Sequence, residues 1–173
     1  MSQPDGSVNI KKIDVGIGEY AVDRSPVIFR TVLGSCVSLN LYDPLILMGG
    51  MAHIVLPQFF KSSGKEDRFA DKVIPKMIKD LESGGARRDR LVARMAGGAN
   101  MYSKPGGPVL FDVGNSNIKA VKKIVTDYDI PILSNICGGQ VARIVTFDLS
   151  TGRVRVDEIK PEVSFMKGDK WKV

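Results

Sequence analysis

Residues that bind soft metals or form covalent intermediates are scarce in this 173-residue chain, which holds two cysteines, Cys36 and Cys137, and one histidine, His53. A structural zinc site usually draws four ligands from cysteine and histidine, and three in all fall short. A disulfide between the two cysteines is disfavoured in a reducing compartment. Cysteine usage therefore leaves a reactive thiol or two inert buried ones. No apolar run approaches the ~20 residues of a membrane helix, so membrane insertion is not expected. The opening Met1–Lys12 lacks the apolar stretch of a secretory signal, which makes the cytoplasm the expected compartment. Aromatic residues are few, at 7%, and are not interleaved with the scattered basic ones. Nucleic acid is therefore not expected as a partner, although a formal net charge of +6 suits an acidic one. Neither glycine pair, Gly97-Gly98 or Gly138-Gly139, has the Walker lysine or a G-x-G-x-x-G arrangement, so both read as tight turns rather than phosphate loops. There are no repeats and no low-complexity linker.

What remains is an ordinary folded composition, 43% hydrophobic and 25% charged, long enough for one domain with a real core. Ile13 to Val22 reads as a strand, with Gly16 and Gly18 marking a bulge or a close backbone approach. Val27 to Leu33 is a β-branched and aromatic run. Cys36 to Tyr42 alternates as a half-buried strand, Asp43-Pro44 turns the chain, and Leu47 to Leu56 returns to complete a hairpin. Phe69, Val73, Ile74, Met77, Ile78 and Leu81 fall at helical spacing. Gly84-Gly85 ends that helix, and Pro75 within it predicts a kinked first turn or a late start. Leu91 to Ala96 is a short strand, and a further one is expected at Val109–Phe111. Ile118, Val121, Ile124 and Val125 mark a second helix with Ser116 or Asn117 as N-cap. Pro131 to Cys137 is a strand, and Ala142–Leu149 with Arg153–Ile159 forms a hairpin. Many strands and two helices with one apolar stripe each predict an α/β fold, a mixed β-sheet core with the helices packed outside.

Leu33-Gly34-Ser35-Cys36 delivers a thiol to the start of a strand, where backbone N–H groups beside it could stabilise an oxyanion. A small buried apolar cysteine is the alternative. His53 lies in the apolar run from Met51 to Leu56. If the two strands pair as a hairpin, His53 comes near Cys36 and can shuttle its proton; a structural histidine with bonded ring nitrogens is the alternative. Such a pair needs a group to orient the imidazole. Thr31, Ser35, Ser38 and Asp43 are the candidates, with Thr31 favoured because it precedes Cys36 on the same turn. Cys137 reads as a buried strand-end thiol.

Leu33-Gly34-Ser35-Cys36-Val37 followed by Met51-Ala52-His53-Ile54-Val55-Leu56-Pro57 resembles the chemoreceptor glutamine deamidase CheD family. Val15–Val22, Phe69-Ala70-Asp71, Gly97–Met101, Asn117–Lys123 and Gly138-Gly139 with Arg143 extend the resemblance, in order, over roughly residues 13–160. It implies a domain over 13–160; the polar residues 1–12 read as a flexible segment and the lysine-bearing residues 161–173 as a basic tail. It also implies a single-domain α/β sandwich similar to the cytotoxic necrotizing factor catalytic domain. By resemblance, Cys36 is the nucleophile, His53 the base and Thr31 the third member of the site. The implied reaction converts receptor glutamines to glutamate, and hydrolyses receptor methyl esters, without metal or cofactor. Methyl-accepting chemotaxis receptors and the phosphatase CheC are the implied partners. A cysteine hydrolase for a small amide or thioester, and a non-catalytic chemotaxis adaptor binding CheC and receptors, are the competing expectations.

Overall fold

The computed structural model describes residues 9–60, 64–100 and 112–159. The expected strand at 109–111, the tail at 161–173 and most of the segment 1–12 lie outside them. Nine strands and two α-helices are formed among the described residues. β3 (Val27–Leu33) alternates strictly, with Val27, Phe29, Thr31 and Leu33 buried. The tract expected as one strand from Ile13 to Val22 is instead two. β1 (Lys11–Asp14) and β2 (Tyr20–Arg24) lie in different sheets, and Gly16 and Gly18 occupy the turn between them. β1 also takes in Lys11 and Lys12, which the sequence alone assigned to the flexible segment.

β4 (Val37–Asp43) and β5 (Met48–Ile54) form the expected antiparallel hairpin, in register from Val37 opposite Ile54 to Asp43 opposite Met48. Both are buried along their whole length. The alternation in β4 therefore does not mark a solvent face, because a second sheet covers it. The five-stranded sheet runs β2-β5-β4-β6-β7, with β6 at Val92–Gly97 and β7 at Ile132–Cys137. The four-stranded sheet runs β1-β3-β8-β9, with β8 at Arg143–Asp148 and β9 at Arg153–Glu158.

Helices α1 (Ala70–Ser83) and α2 (Val113–Asp127) pack on the outer face of the five-stranded sheet. Their stripes of Val73, Ile74, Met77, Ile78, Leu81, Val121 and Val125 meet Val37, Leu39, Leu41, Ala52 and Ile54 there. The inner face packs Tyr42, Met51 and Ala96 against Phe29, Leu33, Val145 and Phe147 of the other sheet. The layers are thus helices, sheet, sheet: an α/β sandwich with both helices on one side. No late start occurs in α1, which begins at Ala70 and runs through Pro75. Asp112, not Ser116 or Asn117, caps α2: its side chain accepts from Asn115 N at 2.9 Å. An acidic side chain there also meets the positive helix end favourably. No described helix is long and apolar enough to cross a membrane.

Candidate active site

Side chains directly opposite in an antiparallel pair share a face. His53 lies opposite Ser38, on the face turned toward the four-stranded sheet. Thr31, buried on the inner face of β3, meets it across the gap between sheets: Thr31 Oγ1 lies 2.8 Å from His53 Nδ1 and 2.7 Å from Val15 O. A carbonyl only accepts, so the single hydroxyl proton of Thr31 goes to Val15. Nδ1 must then be the donor to Oγ1, which leaves the neutral imidazole with its lone pair on Nε2. That nitrogen is buried and has no hydrogen-bond partner among the described residues. The segment before β2 holds the same histidine through both of its backbone groups, since Gly18 N donates to His53 O at 3.1 Å and His53 N to Glu19 O at 2.9 Å.

Cys36 is one residue before the first paired position of β4, in the same pleat phase as Ser38. It packs, half-buried, on the inter-sheet cluster that contains Leu33 and Ala96. Were the ladder continued by one pair, Cys36 would be the diagonal neighbour of His53, at about 7–8 Å. The thiol does not hydrogen-bond Nε2 in this structure. A groove of about 470 Å³ opens beside the Thr31–His53 contact, lined by Val15, Gly16, Ile17, Glu19, Thr31 and His53 among others; Cys36 is not part of its lining.

Burial dominates the charges. It pushes the Cys36 thiol above its ordinary value of 9.0, with the Arg68 guanidinium pulling the other way. It also holds His53 below 6.5, against opposing pulls from the Val15 carbonyl and the Glu19 carboxylate. The resting pair is therefore neutral thiol and neutral imidazole.

The loop that carries Cys36 is clamped through its carbonyls. Ala99 N donates to Gly34 O at 2.9 Å and Gly98 N to Cys36 O at 2.7 Å. Gly97, at φ 103°, brings its backbone so close that a Cβ there would sit 2.4 Å from Cys36 O, and an L side chain rarely adopts that φ. The Gly97-Gly98 turn is thus a support for the cysteine loop. Arg143 braces it from behind, donating to Gly97 O at 3.3 Å and Gly138 O at 2.7 Å. Asn117 of α2 donates its Nδ2 to Val55 O at 2.9 Å and Ser35 O at 3.4 Å. The sequence suggested Asn117 only as a helix cap. Its signal was a polar residue four places before Val121 on the buried stripe.

Of the orienting candidates, Thr31 alone bonds the imidazole. Ser38 faces His53 but its hydroxyl accepts from Asn40 Nδ2 at 3.0 Å. Asp43 sits at the far end of β4, paired with Arg90 at 2.6 Å. Ser35 contributes its carbonyl to Asn117. Cys137 ends β7 half-buried, and burial raises its thiol to about 11.

Fold and site define a two-sheet α/β protein with a threonine-anchored histidine beside a thiol at a strand start. Residues 55–158 match the family model described as CheD chemotactic sensory transduction. A Clostridium kluyveri protein named "Probable chemoreceptor glutamine deamidase CheD" is 41% identical over 152 residues, covering 86% of this chain and 94% of that one. A Clostridium botulinum protein of the same name is 39% identical over 156 residues, covering 88% and 96%. The chain belongs to the CheD family. A crystal structure of a Neisseria meningitidis protein of family DUF152 aligns at a TM-score of 0.44 and 11% identity, over 70% of this chain and 54% of that one; that slight likeness adds nothing about function.

Proposed function

We propose that this protein deamidates specific glutamines of methyl-accepting chemotaxis receptors, with Cys36 as nucleophile, His53 as base and Thr31 as the group that sets the imidazole. The observation that carries the proposal is the inter-sheet bond between Thr31 Oγ1 and His53 Nδ1. It leaves an unprotonated Nε2 on the same strand face as a half-buried thiol. The names of the relatives supply the substrate class.

The chemistry is a two-stage acyl transfer. As the substrate amide enters, Cys36 Sγ closes on Nε2, and Nε2 takes the thiol proton. Sulfur bonds the glutamine side-chain carbon while the carbonyl π pair moves to oxygen. Collapse of this tetrahedral oxyanion breaks the C–N bond, and nitrogen leaves as ammonia with the proton from Nε2. Water then gives a proton to Nε2 as its oxygen adds to the thioester. The second collapse breaks C–S, the sulfur recovers the proton, and glutamate is released. The N–H groups of Ser35 and Cys36, which have no acceptor among the described residues, suit the oxyanion. The same route cleaves a glutamyl methyl ester, with methanol leaving in place of ammonia.

Mass spectrometry of a receptor fragment tests this. Incubation with the wild-type protein adds about one dalton at particular glutamines, –NH₂ having become –OH, and Cys36→Ala and His53→Ala do not. Modification by either variant at the wild-type rate sinks the assignment. Intact chemotaxis in cells carrying Cys36→Ala would favour the adaptor role instead.

A further inference from the structure

We infer that Asn117 is a positioning residue that sets the direction of the Ser35–Cys36 peptide, and through it the oxyanion-binding N–H of Cys36. The inference rests on the acyl-transfer chemistry proposed above. A trans peptide is planar, and its C=O and N–H point in opposite directions. Fixing the carbonyl of one residue therefore aims the N–H of the next. Gly34 O is held by Ala99 N at 2.9 Å, which turns the Ser35 N–H away from the Gly97–Asn100 turn. Ser35 O is held by Asn117 Nδ2 at 3.4 Å, which turns the Cys36 N–H away from α2. Cys36 O is held by Gly98 N at 2.7 Å. Three successive carbonyls are thus drawn to protein donors, while the N–H groups of Ser35 and Cys36 have no acceptor among the described residues.

Ala99 and Gly98 contribute backbone donors. The Ser35 carbonyl depends on a side chain, and the contact to it is the longest of the three. The Asn117 amide is anchored by its shorter bond to Val55 O at 2.9 Å, two residues beyond His53. One amide therefore spans the chain just past His53 and the chain just before Cys36, where the β4–β5 ladder has ended. Asn117 is fully buried, and its Oδ1 is buried with no partner among the described residues. Turning the amide over would set Oδ1 against two carbonyl oxygens, so the donor orientation is the one its surroundings allow. A buried acceptor without a partner calls for a reason; here it follows from placing both amide protons on the two carbonyls.

The test separates an oxyanion effect from a general loss of thiol reactivity. Acylation of Cys36 by p-nitrophenyl acetate passes through a tetrahedral oxyanion, whereas alkylation by iodoacetamide does not. Both are measured on the full chain for wild type, Asn117→Ala and Asn117→Ser, whose hydroxyl is too short to bridge both carbonyls. Circular dichroism melting checks each variant, and the serine variant serves if alanine does not fold. Acylation should fall about 100-fold, the scale of losing one oxyanion donor, with alkylation within about twofold of wild type at each pH. Deamidation of a receptor fragment should lose kcat in parallel, with KM little changed. Equal rates, or acylation and alkylation falling together, would overturn the inference. Should the wild-type protein fail to deamidate the fragment while the acylation-to-alkylation ratio still depends on Asn117, only the assigned substrate is wrong.

Discussion

A neutral thiol beside a neutral imidazole is a pair in waiting, and Thr31 decides which imidazole nitrogen waits. Its hydroxyl bonds both Val15 O and His53 Nδ1, so Nε2 is free to accept. Replacing it with the isosteric valine removes the acceptor for Nδ1–H and lets the ring adopt the wrong tautomer. Thr31→Val should lower kcat by about 100-fold, the scale of a positioned general base, while iodoacetamide labelling of Cys36 far above pH 9 stays near wild type. The pH dependence has a definite sign. His53 is held below 6.5, so activity should persist through pH 6.5 and fall only as His53 protonates at lower pH. Cys36 is held above 9.0, so its alkylation without substrate should climb beyond pH 9. An alkylation midpoint near neutrality would instead show a preformed thiolate–imidazolium pair.

At the scale of elements, the β4–β5 hairpin and the β6 turn divide the work. The hairpin sets the His53 register, and Gly97-Gly98 clamps the loop before β4. The two ends of β4 make a useful contrast. Gly97→Ala places a Cβ against Cys36 O at a positive φ, which should cost about 1–3 kcal/mol in urea unfolding and also slow Cys36 acylation. Asp43 at the other end is fully buried. Burial raises its carboxyl, but Arg90 and the N–H groups of Arg87 and Leu45 outweigh this and hold it below 3.8. Asp43→Asn should destabilise by about 3 kcal/mol at neutral pH, an effect that fades as pH falls through the depressed value. It should leave the reactivity of Cys36 unchanged. Slowed acylation in the folded Asp43→Asn protein would mean that both ends of β4 couple to the site.

For the whole molecule, the formal net charge of +6 predicts faster encounter with an acidic receptor helix. Raising salt from about 0.05 M to 0.5 M should lower kcat/KM for a receptor fragment several-fold while kcat holds, because screening acts on approach and not on the enclosed chemistry. A flat salt response would remove charge from the account. The sequence by itself determined what is local. Alternation and Asp43-Pro44 specified the hairpin, apolar spacing specified α1 and the stripe of α2, and scarcity singled out Cys36 and His53. Tertiary structure decided what comes from distant chain. The split of 13–22 between two sheets, the burial of Ser38 and Asn40, and the choice of Thr31 over Ser38 and Asp43 all follow from the four-stranded sheet lying over β4 and β5. The Asp112 cap was hidden because the apolar stripe of α2 begins a turn after the helix does. Asn117 joined the site only once α2 packed over the ends of β4 and β5. A thiol and a histidine can be read from neighbouring strands, since one turn joins them. The groups that orient them arrive from elements far away in sequence, and no local pattern encodes that meeting. The residue types of the proposed pair were thus legible in the chain, and their placement belongs to the packed sheets.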